Sequence, residues 1–522
     1  METEQSFSRF RHAPKGAIVR SSRDIELLQD TEEFRYAFMA DDARTFKKIV
    51  SLLYRWLDAL AENESYFAVG GDVQHPIPAP YRRIIELFHR HHVIESVFTW
   101  EEKFNDLPLP SYHRFALHGM FADGITDGIR NIRLRGLGVS SSAGDAASKM
   151  IGEFCERYFL TLYKNGRLVR SSVSAMRKKN IPVLDLSQLA GFSEKQKEGR
   201  PEFRWDEKST FRFEKMFRVS TGKPVWAPAQ LIYWNYALDI ESGEPLLRER
   251  NTNGGGGHFT EEEAILSGLY EIIQRDALLL WWLNTLPPPK VDLDSVPDVA
   301  FQEMLKELRR YGLKAHCLNT TLDTNIPSFI VAVEDCHAAH GTQYAMGGGC
   351  AADPVTAIRK ALEESLTVHA WIAGIVRRQP SDPCDDESVQ QGDIGMEKRA
   401  ILFSDPKMKS HYEFFFQGEV KKFDECQFSH PRVFSSKKDE LTAAVQAVEK
   451  MGNGHEVYAY CAKHPLLRQI GYTCARVVVP RLIPLYLNEQ YISLGSERIK
   501  TVPEKMGLGQ AAKLNTWPHP FA

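Results

Sequence analysis

The chain has 522 residues, several times the usual size of one domain, so it can bury a large core and is expected to hold two units. Its 65 Lys+Arg against 68 Asp+Glu leave a net charge of −3, which excludes a global field that would attract nucleic acid or an anionic membrane. Eight dispersed cysteines without a CxxC pair exclude a disulfide framework or a zinc ribbon and read as reduced thiols of a cytoplasmic protein.

The opening METEQSFSRFRHAPKGAIVRSS scatters its charges and holds no apolar stretch of signal-peptide length, so no secretion signal is expected. From Asp42 to about Leu60, Phe46, Ile49, Val50, Leu52, Leu53, Trp56 and Leu57 recur at helical spacing. Tyr81 to Ile94 does the same with Ile84, Ile85, Leu87, Phe88 and Val93. Together with Glu95 to Trp100 these predict a small helical or winged-helix-like domain over residues 1–110, with His89, His91 and His92 on a solvated face. Such a module grips a leader peptide, docks a partner by strand addition, or serves as a structural cap.

Residues 111–522 change character. Short β-branched runs such as Phe329–Val333 and Ala475–Pro480 alternate with helical patterns, which predicts an α/β domain. Ser193–Ser209 and Arg378–Gly395 read as surface loops. Cys336-His337-x-x-His340 lacks a second spaced pair and reads as a polar loop rather than a metal site. The most apolar run, Ala277–Leu283, is far short of the roughly 20 residues that span a bilayer, so no membrane partner is expected.

Beyond residue 110 a single spacing pattern recurs. Gly138, Ala146 and Glu153 are separated by 8 and 7 positions, and Gly256, Ala264, Glu271 and Gly349, Ala357, Glu364 keep that spacing. The glycines mark a strand or turn that a backbone approaches closely; Thr260 and Asp353 are helix caps, and Pro354 fits a first turn. Each helix then carries its Glu in the second or third turn, with Glu156, Gln274 or Thr367 three positions on and Arg157 or Arg275 after the first two. The prediction is a pseudo-repeated α/β core whose three helices present carboxylates to shared ground. Clustered carboxylates repel, by roughly 4 kcal/mol for a pair near 4 Å at an effective dielectric of 20, and so call for a cation. Magnesium shared between carboxylates, water and a triphosphate meets that need. No GxxxxGK[ST] occurs, Gly222-Lys223 lacks the preceding glycine, and Gly254–Gly257 has neither a third glycine nor a strand-like run before it, which excludes a phosphate loop and a dinucleotide fingerprint.

These stretches resemble the YcaO family. Gly138-x-x-Ser to Gly152-Glu-Phe-Cys-Glu-Arg-Tyr158 is similar to its first motif, Asn253 to Ala277 to its second, and Gly347 to Glu364 to its third. Val477–Pro480, Leu494–Arg498 and the terminal Pro518–Phe521 resemble the azole-forming, streptolysin-type branch in particular. The resemblance covers roughly residues 110 to 522 and implies a cyclodehydratase of cytoplasmic peptide biosynthesis. A Cys, Ser or Thr side chain of a ribosomally made precursor adds to the preceding carbonyl, ATP phosphorylates the oxygen, and phosphate leaves to give thiazoline or oxazoline. The implied site places Glu153, Glu156, Glu263, Glu271 and Gln274 around Mg2+, and Asn253, Arg157, Arg275, Lys360 and Glu364 on ATP. It brings the C-terminal tail, through Pro520 and Ala522, to the substrate. Implied partners are the precursor peptide, a leader-binding protein and a flavin-dependent azoline dehydrogenase, in a dimer or hetero-oligomeric complex without nucleic acid. Gln274 stands where the family usually has Glu, Lys360 where Arg is usual, Thr367 where Gln is usual and Lys149 where Ser is common; the chain ends in Ala522 rather than Pro. Two other readings therefore stand beside the first: thioamide or amidine formation by the same ATP chemistry, and a non-catalytic docking scaffold. Glu271→Gln is expected to abolish ATP turnover without unfolding the chain.

Overall fold

The computed structural model describes residues 79–91, 93–94, 96–102, 112–119, 121, 126–128, 134–140, 142–335, 344–378, 394–403, 408–426, 428, 433–509 and 513–521. The helix expected over 42–60, the Cys336 to His340 cluster, Ala522 and most of the loop at 378–395 lie outside these residues.

Helix α1 (Ala79–Arg90) buries Ile84, Ile85, Leu87 and Phe88, as their spacing requires, and leads into β1 (Ser96–Glu102). β1 pairs antiparallel with β2 (Tyr112–Gly119), and β2 with β3 (Leu134–Ser140). The expected boundary at residue 110 thus falls between two strands that stay in register from Ser96–His118 to Glu102–Tyr112. Phe88 also lies 5.8 Å from Phe154 on α2 (Ala143–Phe159), so α1 and the helix after β3 share one core.

Beyond α2 come β4 (Val169–Ser172), β5 (Thr210–Arg218), β6 (Pro224–Pro228) and β7 (Gly255–His258), then α3 (Glu261–Leu283), β8 (Lys290–Asp292) and α4 (Val299–Arg310). β9 (Leu313–Asn319), β10 (Ser328–Asp335), β11 (Tyr344–Cys350) and α5 (Pro354–Arg378) follow, and β12 (Val420–Lys422), α6 (Lys437–Glu449), β13 (Tyr458–Cys461) and β14 (Thr473–Val478) complete the main elements. One sheet runs β11-β10-β9-β8-β12; another runs β4-β5-β13-β14-β7, with β6 beside β5. The strand pairs are antiparallel apart from β12 with β8. The charged stretch 193–209 is more ordered than a surface loop: Ser193 caps a short helix with a full capping box, and Phe203 is buried and stacked on Phe192 at 3.9 Å.

The repeated glycines decide how the three sheets meet. A Cβ on Gly138 would lie 1.7 Å from the Ala146 carbonyl oxygen, on Gly256 2.1 Å from that of Ala264, and on Gly349 2.0 Å from that of Ala357. Only glycine lets the strand lie on the first turn of its helix, and all three alanines are fully buried at the contact. In each unit the glutamate fifteen positions on then reaches back to the strand. Leu137 N–H donates to Glu153 at 2.5 Å, Gly254 N–H to Glu271 at 2.6 Å and Gly348 N–H to Glu364 at 2.7 Å. The spacing read above as a chemical signature is thus also a packing module used three times.

The modules close into a ring. α2 packs on its own β3 and on β7; α3 packs on β7 and on β11; α5 packs on β11 and on β3. Thr260 and Asp353 cap α3 and α5 as predicted, accepting from Glu263 N–H at 3.3 Å and Thr356 N–H at 2.8 Å. α3 is buried along nearly its whole length, which suits a helix at the centre.

Candidate functional site

In the first two units the residue three positions beyond the repeated glutamate points across the ring to the next unit. Glu156 of α2 lies against β7, where a Cβ on Gly255 would sit 2.0 Å from its Oε1. Gln274 of α3 lies against β11, where a Cβ on Gly348 would sit 1.5 Å from its Nε2. Thr367, the third of the set, turns its hydroxyl back to the Glu363 carbonyl at 2.9 Å. Lys149, read as a departure from the family, bridges α2 to Glu363 of α5 and also bonds the Val139 carbonyl at 3.0 Å.

The expected metal and nucleotide residues divide by what they already hold. Glu153 pairs with Arg157 at 2.6 Å and Glu271 with Arg275 at 2.7 Å, and each also takes a strand N–H. Arg157 donates to the Arg135 carbonyl at 2.9 Å and Arg275 to Asn253, whose own amide is tied to Asn251 and to the Leu485 carbonyl. Glu263 accepts from the Thr260 hydroxyl at 2.6 Å and lies 2.7 Å from His258 Nδ1. Burial lowers the His258 imidazole, with the Glu263 carboxylate opposing it. Glu156 and Glu364 are different. Burial, then the neighbouring Glu271 charge, pushes the Glu156 carboxyl up to about 8; burial pushes Glu364 up to about 7, against the Gly348 N–H and Arg275.

A cleft of about 780 Å³ opens beside this cluster, between α3, the glycines of β11, the start of α5 and the start of α6. Glu263, Glu271, Gln274 and Lys360 line it, as does His258. Glu153, Glu156, Arg157, Asn253, Arg275 and Glu364 lie off its walls, so Glu271 joins the two halves of the predicted site. Lys360 is open to water within the cleft, yet the surrounding protein lowers its ammonium. Cys350 lines the cleft too, with its thiol pushed up by burial and held protonated. The C-terminal tail reaches the ring: Pro520 and Phe521 are buried, and the Phe521 ring lies 3.0 Å from where a Gly348 Cβ would stand. Arg399, fully buried, holds this tail through the His519 carbonyl at 3.2 Å, and His519 in turn donates to the Tyr486 carbonyl at 2.6 Å.

Two charged residues escaped the sequence reading. Arg476, on β14, is a lone charge in an apolar run, a signal that was visible in Ala475-Arg-Val-Val-Val. Arg248, in the segment before β7, sits in a charged stretch that gives no hint of burial.

Among the described residues no three His, Cys, Asp or Glu are placed to hold a metal ion by themselves. Magnesium fits such a place, because it takes only one or two carboxylates and fills the rest of its octahedron with water and phosphate. The two carboxyls raised by burial and by the charge of Glu271 are the groups a divalent cation relieves, and the buried Gln274 Nε2 has no hydrogen-bond partner among the described residues.

A family model described as YcaO cyclodehydratase, ATP- and Mg2+-binding, matches residues 137–483, more than half of the chain. An uncharacterised protein from the tfuA 3′ region of Rhizobium leguminosarum bv. trifolii is 27% identical over 209 residues, which are 38% of this chain and 46% of that protein. The chain thus spans less than half the length of this curated relative. Among solved structures, a heterocyclase in complex with substrate and cofactor aligns with a TM-score of 0.65 and 20% identity over 85% of this chain and 57% of that one. YcaO from Methanopyrus kandleri bound with AMPPCP and Mg2+ aligns with a TM-score of 0.54 and 15% identity over 79% of this chain and 93% of that one. At these identities the likeness is one of fold.

Proposed function

The chain belongs to the YcaO family, and from that premise we propose that it uses ATP and Mg2+ to activate backbone amides of a ribosomally made precursor peptide and close azoline rings. The observation that supports this most is the meeting of Glu156, Glu271 and Glu364 from three helices, two of them carboxyls lifted far above their ordinary range. In this reading Glu156 and Glu364 hold Mg2+, with Glu153 and Glu271 beside them. Arg157, Arg275 and Lys360 face the phosphates, Asn253 orients Arg275, and Glu263 and Gln274 line the approach. When bound, Mg2+ and ATP supply charge neutralisation and the phosphoryl group that makes the amide oxygen a leaving group. The cleft beside Glu271 has the volume for an extended peptide, and Phe521 of the tail lies against Gly348 of its wall.

Partners follow from the same reading: a leader-binding protein that presents the precursor, and a flavin dehydrogenase where azoline is oxidised to azole. Gln274 favours a second reading, a docking scaffold, because an unpartnered neutral amide stands at the ring position that Glu156 fills in the first unit. The test is to incubate the chain with its precursor and leader-binding partner, with and without Mg2+, and to follow peptide mass and released ADP and phosphate. Magnesium-dependent loss of one water per modified residue is expected. Exchange of oxygen for sulfur redirects the reading to thioamide chemistry, and a stable complex with no ATP turnover establishes the scaffold.

A further inference from the structure

Each of the three seams that close the ring is crossed by a long side chain, and the third is crossed by a residue outside the repeat pattern. Glu156 reaches from α2 to Gly255 of β7, and Gln274 from α3 to Gly348 of β11. Between α5 and β3 that arrangement fails on both sides. The position before the repeated glycine, which is Gly255 or Gly348 in the other two strands, is Leu137 in β3. The residue that should reach across is Thr367, whose hydroxyl turns back to the Glu363 carbonyl of its own helix. Lys149 of α2 makes the crossing instead, in the opposite direction. Its Nζ donates to the Val139 carbonyl of β3 at 3.0 Å and to the Glu363 carboxylate of α5, so one ammonium joins three elements. The residues at the same place in the other units, four before the repeated glutamate, are Ser267 and Lys360. Both line the cleft, and their side chains make no hydrogen bond or ion pair among the described residues.

Glu363 is only 8% exposed, and Lys149 is the partner its carboxylate has among the described residues. The next residue is Glu364, which takes the Gly348 N–H and is the carboxylate that α5 brings to the cluster. Consecutive residues of a helix point about 100° apart, so pinning Glu363 to α2 fixes the direction of Glu364 as well. Val139 also packs on the apolar cluster that holds Ala357, Ile358 and Ala361 of α5. That contact closes the seam by itself; the ion pair adds a fixed rotation and height of α5, and a site built from several helices tolerates displacements of only about 0.5 Å.

We propose that Lys149 is a positioning residue, which locks the third seam of the ring through Val139 and Glu363 and so holds Glu364 at the cluster. The role of Glu364 toward Mg2+ and ATP rests on the function proposed above; the tie between α2, β3 and α5 does not.

Calorimetric binding of Mg-ATP and the ligand-free Tm are measured on the full chain for wild type, Lys149→Met, Lys149→Arg, Glu363→Gln and the exchanged pair Lys149→Glu with Glu363→Lys. Lys149→Met and Glu363→Gln should each weaken Mg-ATP about tenfold or more. Their Tm should fall by only a few degrees, because the Lys149 side chain is 41% exposed and the apolar contact persists. Lys149→Arg should keep most of the affinity and the exchanged pair should recover part of it, which a direct contact of Lys149 with the nucleotide does not allow. Wild-type binding in Glu363→Gln beside weakened binding in Lys149→Met makes Lys149 a nucleotide contact and overturns the proposal. Unchanged binding in both, with a lowered Tm, makes the tie structural only and overturns it too. Should Lys149→Met fail to fold, the exchanged pair decides: a wild-type Tm with the affinity still lost overturns the proposal. A wild type that binds Mg-ATP through this tie but never modifies peptide keeps the positioning role and overturns the cyclodehydratase reading, and one that binds no Mg-ATP overturns both.

Discussion

Glu156 and Glu271 belong to one cluster and have different duties. Glu271 is tied to Arg275 and to the Gly254 N–H, so it positions β7 as well as facing the cleft. The expectation that Glu271→Gln removes turnover and leaves the fold untouched is therefore revised: turnover should vanish and stability should also fall, by about 1 kcal/mol, read from urea denaturation. Wild-type turnover with a large loss of stability would mark it as structural only. Glu156 has the opposite signature. Its carboxyl and that of Glu364 are raised to about 8 and about 7. Between the ordinary value of 4.5 and those values the folded, metal-free chain binds more protons than the unfolded one, so its stability falls as pH rises through that window. If these carboxyls hold Mg2+ as proposed, its binding would release those protons, and the rise in Tm on adding Mg2+ should be larger at about pH 8 than at about pH 6, with Glu156→Gln flattening the difference. Equal Mg2+ shifts at both pH values would remove Glu156 from the metal site. Cys155→Ser and Cys350→Ser should retain turnover: both thiols are buried, and burial holds that of Cys350 protonated.

A strand lying on its helix is the repeating element, and its spacing has two causes that the sequence cannot separate. Eight positions from Gly to Ala carry the chain from the strand through a cap to the first helical turn, and seven more bring a glutamate back over the strand backbone. Packing alone explains the glycine and the alanine; the position three beyond the glutamate reaches the neighbouring unit in the first two repeats, through Glu156 and Gln274, and turns back onto its own helix in the third. Gly256→Ala should cost about 1–3 kcal/mol or more, because the obstacle is a backbone carbonyl that cannot swing away, and Gly349→Ala should do the same. Gly199→Ala, which meets nothing within 4 Å, is the control, and the urea midpoints of the three variants decide the matter. Equal midpoints would mean that the repeats are held apart rather than pressed together.

For the molecule as a whole, the ring is closed by contacts between residues far apart in the chain. Lys149 with Glu363 ties α2 to α5, and Arg399 ties the C-terminal tail to the segment around Glu489. Arg399→Met would remove a fully buried guanidinium together with its ion pair to Glu489 and its bonds to the Leu487 and His519 carbonyls, a loss of about 3–5 kcal/mol, and should release the tail to carboxypeptidase and lower turnover. A tail still protected would show that Trp517 and Phe521 anchor it by packing alone. The sequence by itself determined the three units, the caps of the second and third, the α/β class and the family, because each rests on residue types at short, regular separations. It also placed Glu153, Glu271 and Glu364 on their helices. Only the tertiary structure decided which carboxylates are already spent on arginine and backbone, that α1 and β1 join the core across residue 110, and that Arg248 and Arg476 are buried. Burial and charge pairing are properties of surroundings assembled from distant segments of the chain, so no local spacing records them.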